Sequence, residues 1–158
     1  MYDGKVADTR DSASAYMQAM SEERGKAIIE GALQMAGPEA QIATIGWCFG
    51  GGWSLKAAIQ AGDRAEGCVM YYGMPIEDKE KIGQLKTDVL GIFAKQDGWI
   101  TPEVVNEFQA KASDVGVEVT VHQFDADHAF ANPSGERYNE EAAQRANKLA
   151  ASYLQERL

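Results

Sequence analysis

Three side chains in this sequence stand in settings that suggest nucleophilic chemistry. Cys48 lies in Ile45-Gly46-Trp47-Cys48-Phe49-Gly50-Gly51-Gly52, a Gly-x-nucleophile-x-Gly pattern with cysteine at its centre. That spacing predicts a strand turning sharply into a helix, with glycines where a Cβ would collide with the turn or the packed helix. The turn raises the side chain to a helix N-terminus, where partial positive charge favours thiolate over thiol. Asp97 sits in Lys95-Gln96-Asp97-Gly98, just past the apolar run 89–94, and His128 sits in Asp125-Ala126-Asp127-His128, just past the run 117–124. An imidazole can act as base for a thiol, and a carboxylate can hold that imidazole through its other nitrogen. The backbone N–H of Phe49, the residue after the nucleophile, is the expected donor to an oxyanion.

The elements that must carry these groups are legible in outline. Residues 12–20 and 22–35 read as helices, the second capped by Ser21 and ended by Gly37-Pro38. The run 41–45 reads as the strand before Cys48, and 53–59 as helix after it. Further strands are expected at 67–72, 89–94 and 117–124. Residues 76–87 read mostly as loop with one helical turn near Ile82 and Leu85. Thr101-Pro102-Glu103 predicts a helix start with Thr101 as cap and proline in the first turn, running to about Val115. The last helix starts near Asn139 and buries Ala142, Ala146, Leu149, Ala150 and Tyr153. Strands alternating with helices imply a parallel sheet whose active groups gather at the strands' C-terminal ends. Cys48, Asp97 and His128 all fall there, in the order nucleophile, acid, base, which is the α/β-hydrolase order. Asp125 or Asp127 could stand in for Asp97, which is preferred because it follows the strand that normally supplies the acid. Cys68 reads as core packing and His122 as a surface or edge residue.

Composition narrows the rest. At 158 residues the chain is expected to be a single domain, and 45% hydrophobic residues exclude extended disorder. A formal charge of −9 argues against nucleic acid or an anionic membrane as partner. No apolar run approaches the roughly 18 residues of a membrane helix, and residues 1–5 do not read as a secretory signal. Two cysteines, one of them in the turn, fit a reducing cytoplasm better than a disulfide scaffold. Gly50 to Gly52 are not followed by the Lys-Ser/Thr of a phosphate loop, and no His/Cys/Asp cluster has metal-ligand spacing, so no cofactor or metal is expected.

Gly46-Trp47-Cys48-Phe49-Gly50-Gly51, the Asp97-Gly98 loop and His128-Ala129-Phe130-Ala131-Asn132-Pro133 together resemble the dienelactone hydrolase family of α/β-hydrolases. Tyr2-Asp3-Gly4-Lys5 is also similar to a family segment that precedes the nucleophile turn. The resemblance spans essentially the whole chain. It implies a truncated α/β-hydrolase, a three-layer αβα sandwich of about four mostly parallel strands, lacking the family's first strands. It further implies hydrolysis of small esters or lactones, with Cys48 as nucleophile, His128 as base and Asp97 as orienting acid. The alternatives are a weak or inactive relative serving as a binding or assembly module, or a fragment of a longer hydrolase. Trp47, Tyr72, Trp99 and Phe130 neighbour these residues and are expected to line an apolar pocket. In the family another strand lies beside the nucleophile strand; without it, residues 42–45 form an unpaired apolar edge that invites cover. A homodimer burying that edge, or an N-terminal segment folded over it, is therefore expected.

Overall fold

The computed structural model describes residues 2–158. The chain divides into two compact units, residues 1–40 and 41–158. The first holds helices α1 (Arg10–Ala19) and α2 (Glu22–Ala36). Thr9 caps α1 through a reciprocal pair of bonds with Ser12, and the Ser21 side chain accepts the Arg24 N–H at the start of α2. Arg24 also pairs with Asp3, and Tyr2 packs on Tyr16 at 5.8 Å between ring centroids.

The second unit is built on a four-stranded sheet: β1 (Ile42–Trp47), β2 (Ala65–Tyr71), β3 (Val89–Ala94) and β4 (Val119–Phe124). Its order is β1-β2-β3-β4 and every pair is parallel. The connections carry α3 (Phe49–Ala61), the short α4 (Lys79–Ile82) and α5 (Pro102–Asp114), and α6 (Glu140–Gln155) follows β4. Because the strands add in one direction without reversal, right-handed crossovers put every connecting helix on the same face. Alternation along the strands shows the result. Cys68, Met70, Val89, Phe93 and Val119 pack with Leu55 and Ala58 of α3, Ile82 of α4, and Val105, Phe108 and Ala112 of α5. On the opposite face Val69, Tyr71, Leu90, Ile92 and Phe124 pack with Ala142, Ala143, Ala146, Ala150 and Tyr153 of α6. This unit therefore has the three layers expected of an α/β-hydrolase. Leu149, expected in the α6 stripe, is only half-buried at its margin. Among the described residues no helix is long and apolar enough to cross a membrane.

Among the differences from expectation, two boundaries and one cap have clear local reasons. Helix α3 begins at Phe49, not near Trp53, because the Cys48 carbonyl accepts the N–H groups of Gly51 (2.9 Å) and Gly52 (3.3 Å), so the glycines form the first turn. Strand β4 begins at Val119, not Val117, because the Val117 N–H turns back to the Ala112 carbonyl (2.9 Å) and closes the end of α5. Thr101 occupies the N-cap position of α5, yet its side chain makes no capping bond; it meets the Glu103 carboxylate instead and lowers that group's pKa.

Candidate active site

Residue Cys48 joins β1 to α3 with a positive φ of 53°, uncommon for a residue with a Cβ. The turn survives because nothing protrudes beneath it. A Cβ on Gly46 would be driven into the Gly50 carbonyl, so that position admits only glycine. The Cys48 N–H is fixed to the Tyr71 carbonyl at the end of β2 (2.9 Å). Asp97 and His128 come from the loops after β3 and β4, so adjacent parallel strand ends deliver the groups to one edge of the sheet.

There they meet. His128 Nε2 lies 3.1 Å from Cys48 Sγ, and His128 Nδ1 lies 2.6 Å from Asp97 Oδ2. Asp97 is 4% exposed. Its Oδ1 accepts the backbone N–H groups of Trp99 (2.9 Å) and Ile100 (3.0 Å), which locks the carboxylate in place. Neither alternative acid is aimed at the ring. Asp125 Oδ1 accepts from Gln96 Nε2 (2.9 Å). Asp127 accepts the His128 backbone N–H (2.6 Å) and pairs with Arg137 (3.4 Å). Asp127 thus holds the loop while Asp97 holds the imidazole.

The sulfur–imidazole contact dominates the electrostatics. It holds the Cys48 thiol below its ordinary pKa, against the opposing effect of partial burial, and the Phe49 N–H, directed at the sulfur, adds to it. It also lifts His128 to about 9, with burial opposing and Asp97 assisting. Both shifts favour a thiolate–imidazolium pair. The other cysteine behaves oppositely: Cys68 is fully buried and its thiol is pushed up to about 11 by desolvation.

The whole of residues 1–158 matches the dienelactone hydrolase family. The chain belongs to that family. One relative, the carboxymethylenebutenolidase of Pseudomonas sp. (strain P51), is 31% identical over 118 residues, 72% of this chain and 47% of its own length. A Saccharolobus solfataricus protein is 28% identical over 117 residues, 44% of its length. The chain thus spans about half the length of these relatives. It covers 72% of protein usf from Aquifex pyrophilus, with 29% identity over 168 residues. Among solved structures, a dienelactone hydrolase-like promiscuous phosphotriesterase from metagenomic libraries superposes with a TM-score of 0.81 at 22% identity, over 98% of this chain and 71% of that one. That likeness is one of fold.

The four aromatic residues expected to line a pocket divide into two kinds. Trp47 (43% exposed) and Trp99 (58%) are open to solvent, and Trp99 lies 6.3 Å from the His128 ring. Tyr72 and Phe130 are buried in the core on the α6 face. Phe130 has no exposed surface to offer a ligand; it packs on Phe124 (5.3 Å) and Tyr72 (5.4 Å) beneath the histidine loop. The reason is its place after the turn at Ala129, which has a positive φ of 65° and turns the next side chain inward. His122 lies on β4, half-buried, as expected of an edge strand.

Proposed function

We propose that this chain is a cysteine-dependent hydrolase of small carboxylic esters or lactones acting through Cys48, His128 and Asp97. One observation carries the reading: a continuous line of contacts from sulfur to imidazole to buried carboxylate, 3.1 and 2.6 Å long. In the proposed reaction the Cys48 thiolate attacks the carbonyl carbon, and the Phe49 N–H, in the first turn of α3, donates to the oxyanion. The C–O bond to the leaving group breaks as His128 Nε2 gives it a proton, leaving a thioester on Cys48. Water then loses a proton to Nε2 and attacks, the C–S bond breaks, and thiolate and imidazolium are restored. Asp97 holds the ring tautomer and stabilises the imidazolium throughout. Esters and lactones suit this chemistry because thioesters hydrolyse readily whereas thiolates attack amides poorly. The name of the Pseudomonas relative, a butenolidase, supports the lactone half of the reading.

We further propose that two copies associate through β1. That strand is outermost in the sheet, and its Ile45 and Trp47 side chains are 41% and 43% exposed, a combination that favours pairing with another strand.

Turnover of p-nitrophenyl acetate by the wild type and by Cys48→Ala tests the hydrolase reading. Turnover by the wild type alone is expected. Equal rates would remove the case for a cysteine nucleophile.

A further inference from the structure

Taking the triad reading above as its base, we infer that the end of β2, Tyr71-Tyr72-Gly73, is a spacer that sets the Cys48–His128 distance, with Tyr72 as the positioning residue. This segment touches both partners. Toward the cysteine, the Tyr71 carbonyl accepts the Cys48 N–H (2.9 Å). Gly73 crosses α3 so closely that a Cβ there would sit 2.5 Å from Gly51 C and Gly52 N, and a Cβ on Gly51 would sit 2.8 Å from the Tyr71 carbonyl. The two backbones meet without side chains between them, which fixes the nucleophile turn against β2.

Toward the histidine, the contact is made by the Tyr72 side chain. Its ring packs 5.2 Å from the imidazole at 59°, and its phenol oxygen faces the Ala131 N–H, three residues past His128. Tyr72 adopts a φ of +34° to do so, rare for a bulky residue, while its own N–H stays anchored to the Ile92 carbonyl (2.7 Å). Among the described residues the non-glycine residues with positive φ are Asp3, Cys48, Tyr72 and Ala129. Three of the four therefore lie at the nucleophile, the spacer and the histidine turn. Strained backbone persists where surrounding contacts over-determine it. Here the contacts run continuously from the Cys48 backbone through the end of β2 to the imidazole.

The hydroxyl is the part of Tyr72 that a phenylalanine could not replace. Burial raises its pKa, so it stays neutral and works as a hydrogen-bond acceptor and not as an acid. Without it the Ala131 N–H loses the oxygen it faces, and Tyr72 holds the histidine loop by ring packing alone. Displacement of a reacting group by about 1 Å can cost on the order of 100-fold in rate.

The test compares wild type, Tyr72→Phe and Tyr153→Phe, each confirmed folded by thermal melting. Tyr153 also loses a buried hydroxyl, which bonds to Cys68 N–H and the Asp88 carbonyl, but it touches neither Cys48 nor His128. Iodoacetamide alkylation of Cys48 is followed from pH 5 to 10, with Cys48→Ala as the blank for Cys68, alongside ester turnover. In Tyr72→Phe the alkylation profile is expected to move toward that of an ordinary thiol, with kcat falling roughly 10-fold or more and KM changing less. Tyr153→Phe is expected to keep the wild-type profile. A wild-type profile in Tyr72→Phe, or equal displacement in both variants, would overturn the spacer. An ordinary-thiol profile in the wild type itself would instead overturn the triad reading on which the spacer rests.

Discussion

Asp97 gives His128 one carboxylate oxygen, at 2.6 Å, and commits the other to the N–H groups of Trp99 and Ile100. The two oxygens separate a chemical role from a structural one. Asp97→Asn keeps an acceptor for the loop but presents N–H₂ or a weaker acceptor to the ring, favouring the wrong tautomer. Ester turnover by this variant is expected to drop about 100-fold or more while its melting temperature stays near wild type. Asp97→Ala also strands the two loop N–H groups and is expected to lose about 1–3 kcal/mol of stability for each buried one. Kinetics and thermal denaturation of the two variants side by side make the check.

A second expectation concerns proton occupancy. His128, raised to about 9, contributes stability that is full below the ordinary histidine value of about 6.5 and is lost as pH rises through about 9. Cys48 is depressed, so its contribution is full above the ordinary thiol value and is lost as pH falls through its folded value. The ion pair is complete only between the two folded values. NMR titration of the His128 ring should find a midpoint near 9 in the wild type. A lower midpoint is expected in Cys48→Ala, where the largest raising influence is gone. An unchanged midpoint in that variant would contradict the pair.

The glycines of the turn are not equivalent. Gly46→Ala drives a Cβ into the Gly50 carbonyl and should prevent folding or lower the melting temperature sharply. Gly50→Ala meets nothing within 4 Å and lies in the first turn of α3, where alanine is the better helix former by about 1 kcal/mol. That variant should melt at or above the wild-type temperature.

Core and mouth aromatics should also separate. Phe130→Ala removes a fully buried ring and is expected to cost about 3–5 kcal/mol in chemical denaturation. Trp99→Ala removes an exposed ring beside His128 and is expected to change KM for aryl esters with stability within about 0.5 kcal/mol of wild type.

Association through β1 predicts a dimer by size-exclusion chromatography with light scattering, and a shift toward monomer when Ile45 and Trp47, the exposed side chains of β1, are both replaced by lysine. A monodisperse wild-type monomer at high concentration would remove the proposal.

How far the sequence alone reached depends on what each feature needs. The bend at Cys48 was readable because Gly46 and Gly51 are demanded by local backbone crowding, and such demands leave a pattern in consecutive residues. The strand at Val89–Ala94 was readable to its exact ends, since a run buried on both faces is uninterrupted by polar residues. The choice among Asp97, Asp125 and Asp127 was readable only as a preference, because it turns on which carboxylate the loops aim at the ring. The burial of Tyr72 and Phe130 was not readable. Both follow strands, as pocket residues do, and only the turns at Tyr72 and Ala129 direct them inward. A paired aromatic followed by glycine, Tyr71-Tyr72-Gly73, was the available hint that this strand end meets another backbone closely.

The crossing of Gly51 over Gly73 leaves no room for variation where the two segments touch. Redesign of this protein for a new substrate therefore has little to gain from libraries aimed at that inner scaffold. Freedom to diversify lies at the rim, at Trp99, whose exposed side chain can be exchanged without disturbing the machinery underneath.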